Sequence, residues 1–348
     1  MRKFYASRIT HHGIELVMIA PERPTTKPAL VIGDTCVDLI VRIPDKTAGA
    51  PPPTDPELHG GGTGANTAVA LARLGIPTAF MGAVGRDGYG RFAHHSLRVE
   101  GVDTSFIVTS EEAFTSVVLA LVDRQGERTL LGWPRRGAAH TQLLAGQVEA
   151  EVITGMAWLH TTGMCLVESP VREAILHGMA LAQTAGIPVS FDLNLRLGLE
   201  DGRLPGEFEQ TLRQAIALAN YVFGSADDEL AYLAPAASAA ESARQLAGDR
   251  RTVIARLGAA GVVAVSAQQV ISMPAFPAKV VDTVGAGDAF NAGFIAAQLQ
   301  GQGLTSALRW GNTVAALKIG RPGARGVPYR AEVEVFLNTA LNYYYNDT

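Results

Sequence analysis

The chain of 348 residues is long enough for one large α/β domain or two ordinary ones. Hydrophobic residues make up 47% and charged residues 18%, the balance of a globular enzyme with a sizeable core, and a net charge of −4 argues against nucleic-acid binding through a general basic field. The two cysteines, Cys36 and Cys165, form no CxxC pair, so no zinc motif or disulfide framework is indicated and a reduced, cytoplasmic setting is the default.

The opening MRKFYASRITHHGIELVMIA starts basic, but Glu15 interrupts its apolar run and no small-residue cleavage site follows. Residues 1–28 are therefore read as an N-terminal appendage, set off by Pro21, Pro24 and Pro28. No apolar run approaches the ~18 residues of a membrane span. From ALVIGD (29–34) onward, over 29–348, short apolar runs alternate with longer helical ones. ALVIG predicts a buried strand, and ANTAVALARLG (65–75) an alanine-rich helix that stops at Gly75. A strand over 78–85 and a helix over 89–101 follow. MAWLHTTG (156–163) is a strand, and 169–186 a helix with Ser169 as N-cap and Pro170 at its first position. Strands at IPVSFDLN, YVFGS and RTVIARLG come next, then helices over 286–300, 304–319 and 331–345. This βαβα rhythm predicts a mostly parallel sheet with helices on both faces, and sites in such sheets lie beyond the carboxyl ends of the strands.

Two segments break the rhythm. Residues 35–60 alternate apolar positions before a proline-rich turn, and 106–133 reads as two or three strands with a turn at RQGE. Both are expected to pair into a small antiparallel sheet beside the main one, either a lid over the site or an edge extension. Apolar Val117, Leu119 and Leu121 predict that two such lids pair in a homodimer.

The stretch DTVGAGDAFNAGF (282–294) places Gly285, Ala286 and Gly287 ahead of Asp288, where a helix begins. Glycines admit close approach to main-chain N–H groups, and a helix N-terminus concentrates unpaired donors, so an anion site is indicated. An aspartate aimed into an anion site needs chemistry to justify it. No Gly-Lys-Ser/Thr occurs, because none of the five lysines follows a glycine, and a P-loop is excluded. GRDGYG (85–90) is not the dinucleotide fingerprint, and no GxGxxG follows the first strand.

GGGTGANTAVALARLG (60–75) and DTVGAGDAFNAGF together resemble the two defining motifs of the ribokinase-like, or PfkB-type, carbohydrate kinases. GDTCVDL, VSFDLNLR, LGAAGVV and PGARGVP extend the resemblance from about residue 29 to 337. It implies a ribokinase-like fold, a kinase domain over 29–348, and transfer of the ATP γ-phosphoryl group to a hydroxyl with Mg2+. On these positions the amides of Gly285, Ala286 and Gly287 form the anion hole and Asp288 accepts the hydroxyl proton. Asp38, Gly62 and Asn66 match the sugar contacts, while Asp34 is a solvated or structural strand-end residue. Arg196, in the DxNxR-like VSFDLNLR, reaches a phosphate or a substrate carboxylate. Gly258, Gly261 and Asn312 match the ATP side, and Asp282 and Val284 stand where backbone carbonyls hold a monovalent cation, K+, in many members.

Some positions depart from the pattern. The NxxE that organises Mg2+ falls on FGSADDEL (223–230), where either Asp228 or Glu229 takes the acidic place and the asparagine is absent. Thr63 and Cys36 stand where ribokinases often carry lysine and asparagine, which weakens a ribose-specific reading. The implied acceptor is a monosaccharide or sugar acid; a nucleoside is the alternative, with Phe106, Phe114 and Trp133 offered by the insertions. Arg135 and Arg136 either read an acidic substrate or solvate the lid.

Overall fold

The computed structural model describes residues 5–10, 13–18, 27–42, 55–122, 128–134, 136–195 and 206–345. In the appendage, β1 (Tyr5–Thr10) and β2 (Gly13–Met18) pair antiparallel. The body begins with β3 (Ala29–Ile32), β4 (Cys36–Arg42), β5 (Glu57–Gly61), α1 (Thr63–Arg73), β6 (Thr78–Gly85), α2 (Gly88–Val99) and β7 (Asp103–Ser110). It continues through β8 (Val117–Val122), β9 (Arg128–Trp133), α3 (Ala150–Thr154), β10 (Trp158–Thr162), α4 (Val171–Thr184), β11 (Val189–Asp192), α5 (Gly206–Leu218) and β12 (Tyr221–Ser225). The last third holds α6 (Ala231–Leu233), α7 (Ala239–Leu246), β13 (Thr252–Arg256), β14 (Val262–Val265), β15 (Val270–Met273), α8 (Ala286–Leu299), α9 (Leu304–Ile319) and α10 (Arg330–Tyr345).

Nine strands form the main sheet in the order β15-β14-β13-β12-β11-β10-β3-β6-β7. Pairing is parallel from β7 through β13, and LGAAGVV turns the chain into the antiparallel strands β14 and β15. The chain order runs one way from β3 through β6 and β7 and the other way from β10 onward. The switch therefore lies between β3 and β10, and a crevice opens at their carboxyl ends.

Alternation along β3 explains the two-sided core. Leu30 and Ile32 pack with Ile175, Met179 and Leu212 of α4 and α5 on one face. Ala29 and Val31 pack with Val69, Phe290, Phe294 and Val314 of α1, α8 and α9 on the other. All four strand residues are fully buried, as a parallel sheet covered on both faces requires. One helix start differs from expectation. Pro170 is the cap residue and Val171 the first helical one, while the Ser169 hydroxyl donates to Glu173 at 2.8 Å and caps no amide.

The second sheet has the order β5-β4-β8-β9. Its two hairpins are antiparallel and its central pair, β4 with β8, is parallel. The inserted strands are shorter than expected: Phe106 lies in β7, at the edge of the main sheet, so the second inserted segment enters the small sheet at Val117. Val37 joins the small sheet to the body by packing with Val84 and Ala93.

Candidate active site

The crevice at the switch point is built first by Asp34, two residues past the end of β3. Its carboxylate accepts the amides of Thr63 and Gly64 and the Thr63 hydroxyl, each at 3.0 Å. Asp34 is thus a buried cap on the start of α1 and not a solvated residue. Gly62 precedes that start at φ 95°, and a Cβ there would lie 2.6 Å from the Asp34 carbonyl, so only glycine admits this approach.

The cap aims Asn66 across the crevice. Its Nδ2 donates to Asp288 Oδ2 at 3.1 Å, and its Oδ1 accepts Arg325 Nε at 3.2 Å. Arg325 also donates to the Ser96 hydroxyl at 3.0 Å and the Gly61 carbonyl at 3.2 Å. Beside it, Asp38 projects from β4, with the Cys36 thiol 3.8 Å from Oδ1. Burial raises the Asp38 carboxyl above its ordinary pKa, and the Arg325 guanidinium opposes the rise. Asp288, Asn66 and Arg325 are therefore linked in one polar wall, and Asp38 lies within reach of the Arg325 charge.

Asp288 is in the first turn of α8, whose N-cap is Gly285 at φ 78°. A Cβ on Gly285 would lie 2.7 Å from the Ala324 carbonyl, so a glycine is required for the turn to pack there. Of the three predicted cradle residues, Ala286 uses its amide to close the turn on the Thr283 carbonyl at 3.1 Å. The start of α8 still presents first-turn amides and the positive end of the helix dipole to the crevice. Burial raises the Asp288 carboxyl to about 7; the Asn66 hydrogen bond and Arg256 oppose the rise, while Asp192 and Asp34 add to it. A near-neutral carboxylate at a helix start suits proton abstraction within an anion site.

Under α8 lies a second network. Arg256, at the end of β13, is paired with Asp192 through bonds of 2.7 and 3.0 Å and also donates to Asn291 Oδ1 at 3.1 Å. Asn291 donates to Asp192 Oδ2 at 2.7 Å. Glu229 stands in a single π-type turn, Ala226–Leu230, where its oxygens accept the amides of Leu195 and Ser225, both at 2.6 Å. Burial and the Asp192 charge push the Glu229 carboxyl up, against the pull of Arg256. Asp228 is exposed and accepts the Ser225 hydroxyl at 3.2 Å. A cavity of about 240 Å³ is lined by Asp192, Asp228, Glu229, Arg256, Gly285–Gly287 and Asp288, with Asn194 at φ 36° on its rim.

Not every predicted residue converges there. Gly258 (φ 57°) and Gly261 (φ 100°) shape the turn after β13 and do not line this cavity. Asn312 Nδ2 donates to the Pro274 carbonyl at 3.0 Å and so anchors the segment after β15. Asp282 and Val284 lie in the turn before α8, where the Asp282 carbonyl accepts the Lys318 ammonium at 2.7 Å. Arg196 and Arg135 fall outside the described residues, and Arg136 is exposed. Arg256 and Arg325 were missed by sequence reasoning, although a strand-end arginine in RTVIARLG and the arginine of PGARGVP were visible signals.

An α/β fold whose crevice brings together a helix start and a carboxyl raised to about 7 fits a group-transfer enzyme acting on an anionic donor. Comparison narrows the class. The profile of the pfkB family carbohydrate kinases matches residues 27–330. A fructokinase of Vibrio alginolyticus is 32% identical over 315 residues, covering 88% of this chain and 98% of the relative. Among solved structures, the ATP-bound fructokinase of Xylella fastidiosa superposes with a TM-score of 0.78 at 28% identity, covering 90% of this chain and 99% of that one. The aminoimidazole riboside kinase of Salmonella enterica, solved with aminoimidazole riboside and an ATP analogue, gives 0.73 at 29% identity over 89% and 99%. The chain belongs to the PfkB family of carbohydrate kinases, with a ribokinase-like fold, and its activity is phosphoryl transfer to a sugar hydroxyl.

Proposed function

We propose that the protein phosphorylates a neutral monosaccharide, with a ketohexose such as fructose preferred over a sugar acid, at the expense of ATP. The observation that carries this is the acceptor wall: Asp38 offers a carboxylate there, and Arg325 is committed to Asn66, Ser96 and Gly61. A carboxylate directs neutral hydroxyls and repels an anionic acceptor. The likeness to fructokinases supports the same choice. Asp288 takes the proton of the attacking hydroxyl, and the amides of Gly285 and Gly287 receive the transferring group with Arg256 beneath them, while the Ala286 amide closes the turn on Thr283. Asp38, Gly62 and Asn66 orient the acceptor. Gly258, Gly261 and Asn312 shape the nucleotide end.

Mg2+, when bound, neutralises charge on the phosphate chain. The residues present fit it. Asp228 is exposed beside the cavity and suits a magnesium ion held mainly by water and phosphate, whereas both Glu229 oxygens are occupied by amides. K+ at Asp282 and Val284 is disfavoured, because the ammonium 2.7 Å from the Asp282 carbonyl repels a second cation beside it.

A lid-mediated homodimer completes the proposal. Val117 is buried and Leu119 and Leu121 half-buried, and the exposed apolar surface is supplied by Leu131 and Trp133, which pair with Leu119 and Val117 on the same face, together with Phe114 against Trp133. Pairing of two lids would cover that face. No described helix is long and apolar enough to cross a membrane, and Cys36 and Cys165 are free thiols, which supports a cytoplasmic setting.

One observation favours a second acceptor class. Phe114 and Trp133 lie 5.3 Å apart on the lid, a surface on which a nucleoside base can stack. Coupled ADP-release assays with Mg2+ across fructose, ribose, sugar acids and nucleosides separate the possibilities. Fructose should give the highest kcat/KM; a sugar acid ranking first overturns the neutral-acceptor assignment, and a nucleoside ranking first selects the second class.

A further inference from the structure

Lys318 stands in the last turn of α9 and is fully buried. A buried ammonium is costly unless oxygen donors meet its charge. Its Nζ donates to the main-chain carbonyl of Asp282 at 2.7 Å. That carbonyl belongs to the turn leading into α8, and the turn is stitched to the end of α9 by further bonds. The amides of Val281 and Asp282 donate to the Ile319 carbonyl at 2.7 and 3.1 Å. Asp282 Oδ2 accepts the Gly323 amide at 2.9 Å, and Oδ1 accepts the Val284 amide at 3.0 Å.

The C-terminal end of a helix is a negative pole lined by carbonyl oxygens. Here it faces the Asp282 carbonyl, so the junction calls for a cation. A dissolved monovalent ion is one solution and a tethered ammonium is another. The two compete for one oxygen, and like charges so close repel. Lys318 already supplies the charge, and its stem passes through the core with no exchange with solvent.

We infer that Lys318 is a built-in monovalent cation: a positioning residue that holds the Asp282–Gly285 turn, and through it the amide cradle at the start of α8, so that this kinase needs no K+. The consequence follows from connectivity. Gly285 comes three residues after Asp282 and caps the helix that carries Asp288. Loss of the ammonium removes the positive donor from the Asp282 carbonyl that faces the helix end and loosens the cradle. The inference rests on the assignment of residues 285–287 to the transferring phosphoryl group, and its test is independent of the acceptor.

The test measures binding of Mg2+ with the non-hydrolysable nucleotide AMP-PNP by calorimetry, and thermal melting, in potassium and in tetramethylammonium chloride at equal ionic strength. The wild-type affinity should change less than about twofold between the salts, and its melting temperature should not move. Lys318→Met should bind AMP-PNP about tenfold or more weakly in both salts, because the methionine fills the space without charge. Lys318→Ala leaves room for an ion, so K+ should restore both its affinity and its melting temperature while tetramethylammonium does not. A wild-type protein whose affinity or melting temperature rises strongly with K+ overturns the inference, as does Lys318→Met binding like wild type in tetramethylammonium. If neither variant folds, the wild-type salt comparison decides alone. Wild type failing to bind AMP-PNP in either salt would count against the cradle assignment, and the melting arm would still judge Lys318.

Discussion

Asn66 Nδ2 donates to Asp288 Oδ2 at 3.1 Å, a bond between residues 222 positions apart. Arg325 sets the direction of the amide by donating to Asn66 Oδ1 at 3.2 Å, so the donor end of Asn66 faces the carboxylate. Because that bond opposes the effect of burial on Asp288, Asn66→Ala should raise the Asp288 pKa further. The rising limb of the kcat/KM profile should move to higher pH, by up to about one unit. Rate measurements from pH 5 to 9 check this, and an unmoved limb removes the coupling.

Asp288→Asn should keep the fold and nucleotide binding but lose turnover. The amide is nearly isosteric and still accepts from Asn66, yet it cannot take a proton. The loss expected for a missing general base is ~10²–10⁴-fold, about 3–5 kcal/mol of barrier. Asp38→Ala should act mainly on the KM for the sugar, since Asp38 orients hydroxyls and moves no proton. Steady-state kinetics of both variants decide; Asp288→Asn retaining more than about a tenth of wild-type kcat defeats the base assignment.

The same Asp288 substitution carries a stability signature. The folded carboxyl titrates at about 7, above the ~3.9 of an unfolded aspartate. A raised carboxyl pKa means that the folded state binds its proton more tightly, so stability falls as pH rises from about 4 to about 7. Asparagine has no such penalty. The melting temperature of Asp288→Asn relative to wild type should therefore climb across that interval and level off above it. Melts at pH 5 and pH 8 giving equal differences would contradict the buried, near-neutral carboxyl.

Arg256→Met should be strongly destabilising. It leaves Asp192, whose side chain is only 2% exposed, without its ion-pair partner. Breaking a buried pair from one side costs about 3–5 kcal/mol. Adding Asp192→Asn should recover part of that stability by removing the stranded charge, without recovering turnover. Urea denaturation of the single and double variants checks the first half and kinetics the second; a double variant no more stable than Arg256→Met refutes the pairing argument.

Local pattern determined most of the fold and one pole of the site. The continuous apolar run of ALVIG could only be satisfied between two helical layers, and the alternation with helical segments implied parallel pairing. The glycines before Asp288 needed no tertiary information to mark a candidate anion site, because close approach to main-chain amides is a local property of the turn. Everything that depends on distance along the chain was decided only by folding. RTVIARLG shows a strand ending in arginine, but nothing within it says that Asp192, 64 residues earlier, supplies the counter-charge. GDTCVDL shows two aspartates, and nothing local says what either one contacts. The sheet register turns one down as a cap on α1 and sends the other along β4 towards Arg325. Likewise, the family resemblance of DTVGAGD implies carbonyls for a cation, and only the packing of α9 against that turn brings Lys318, 36 residues later, onto the Asp282 oxygen. Charge pairing in a buried site is set by which strand ends and helix ends meet, and that is a property of the whole topology.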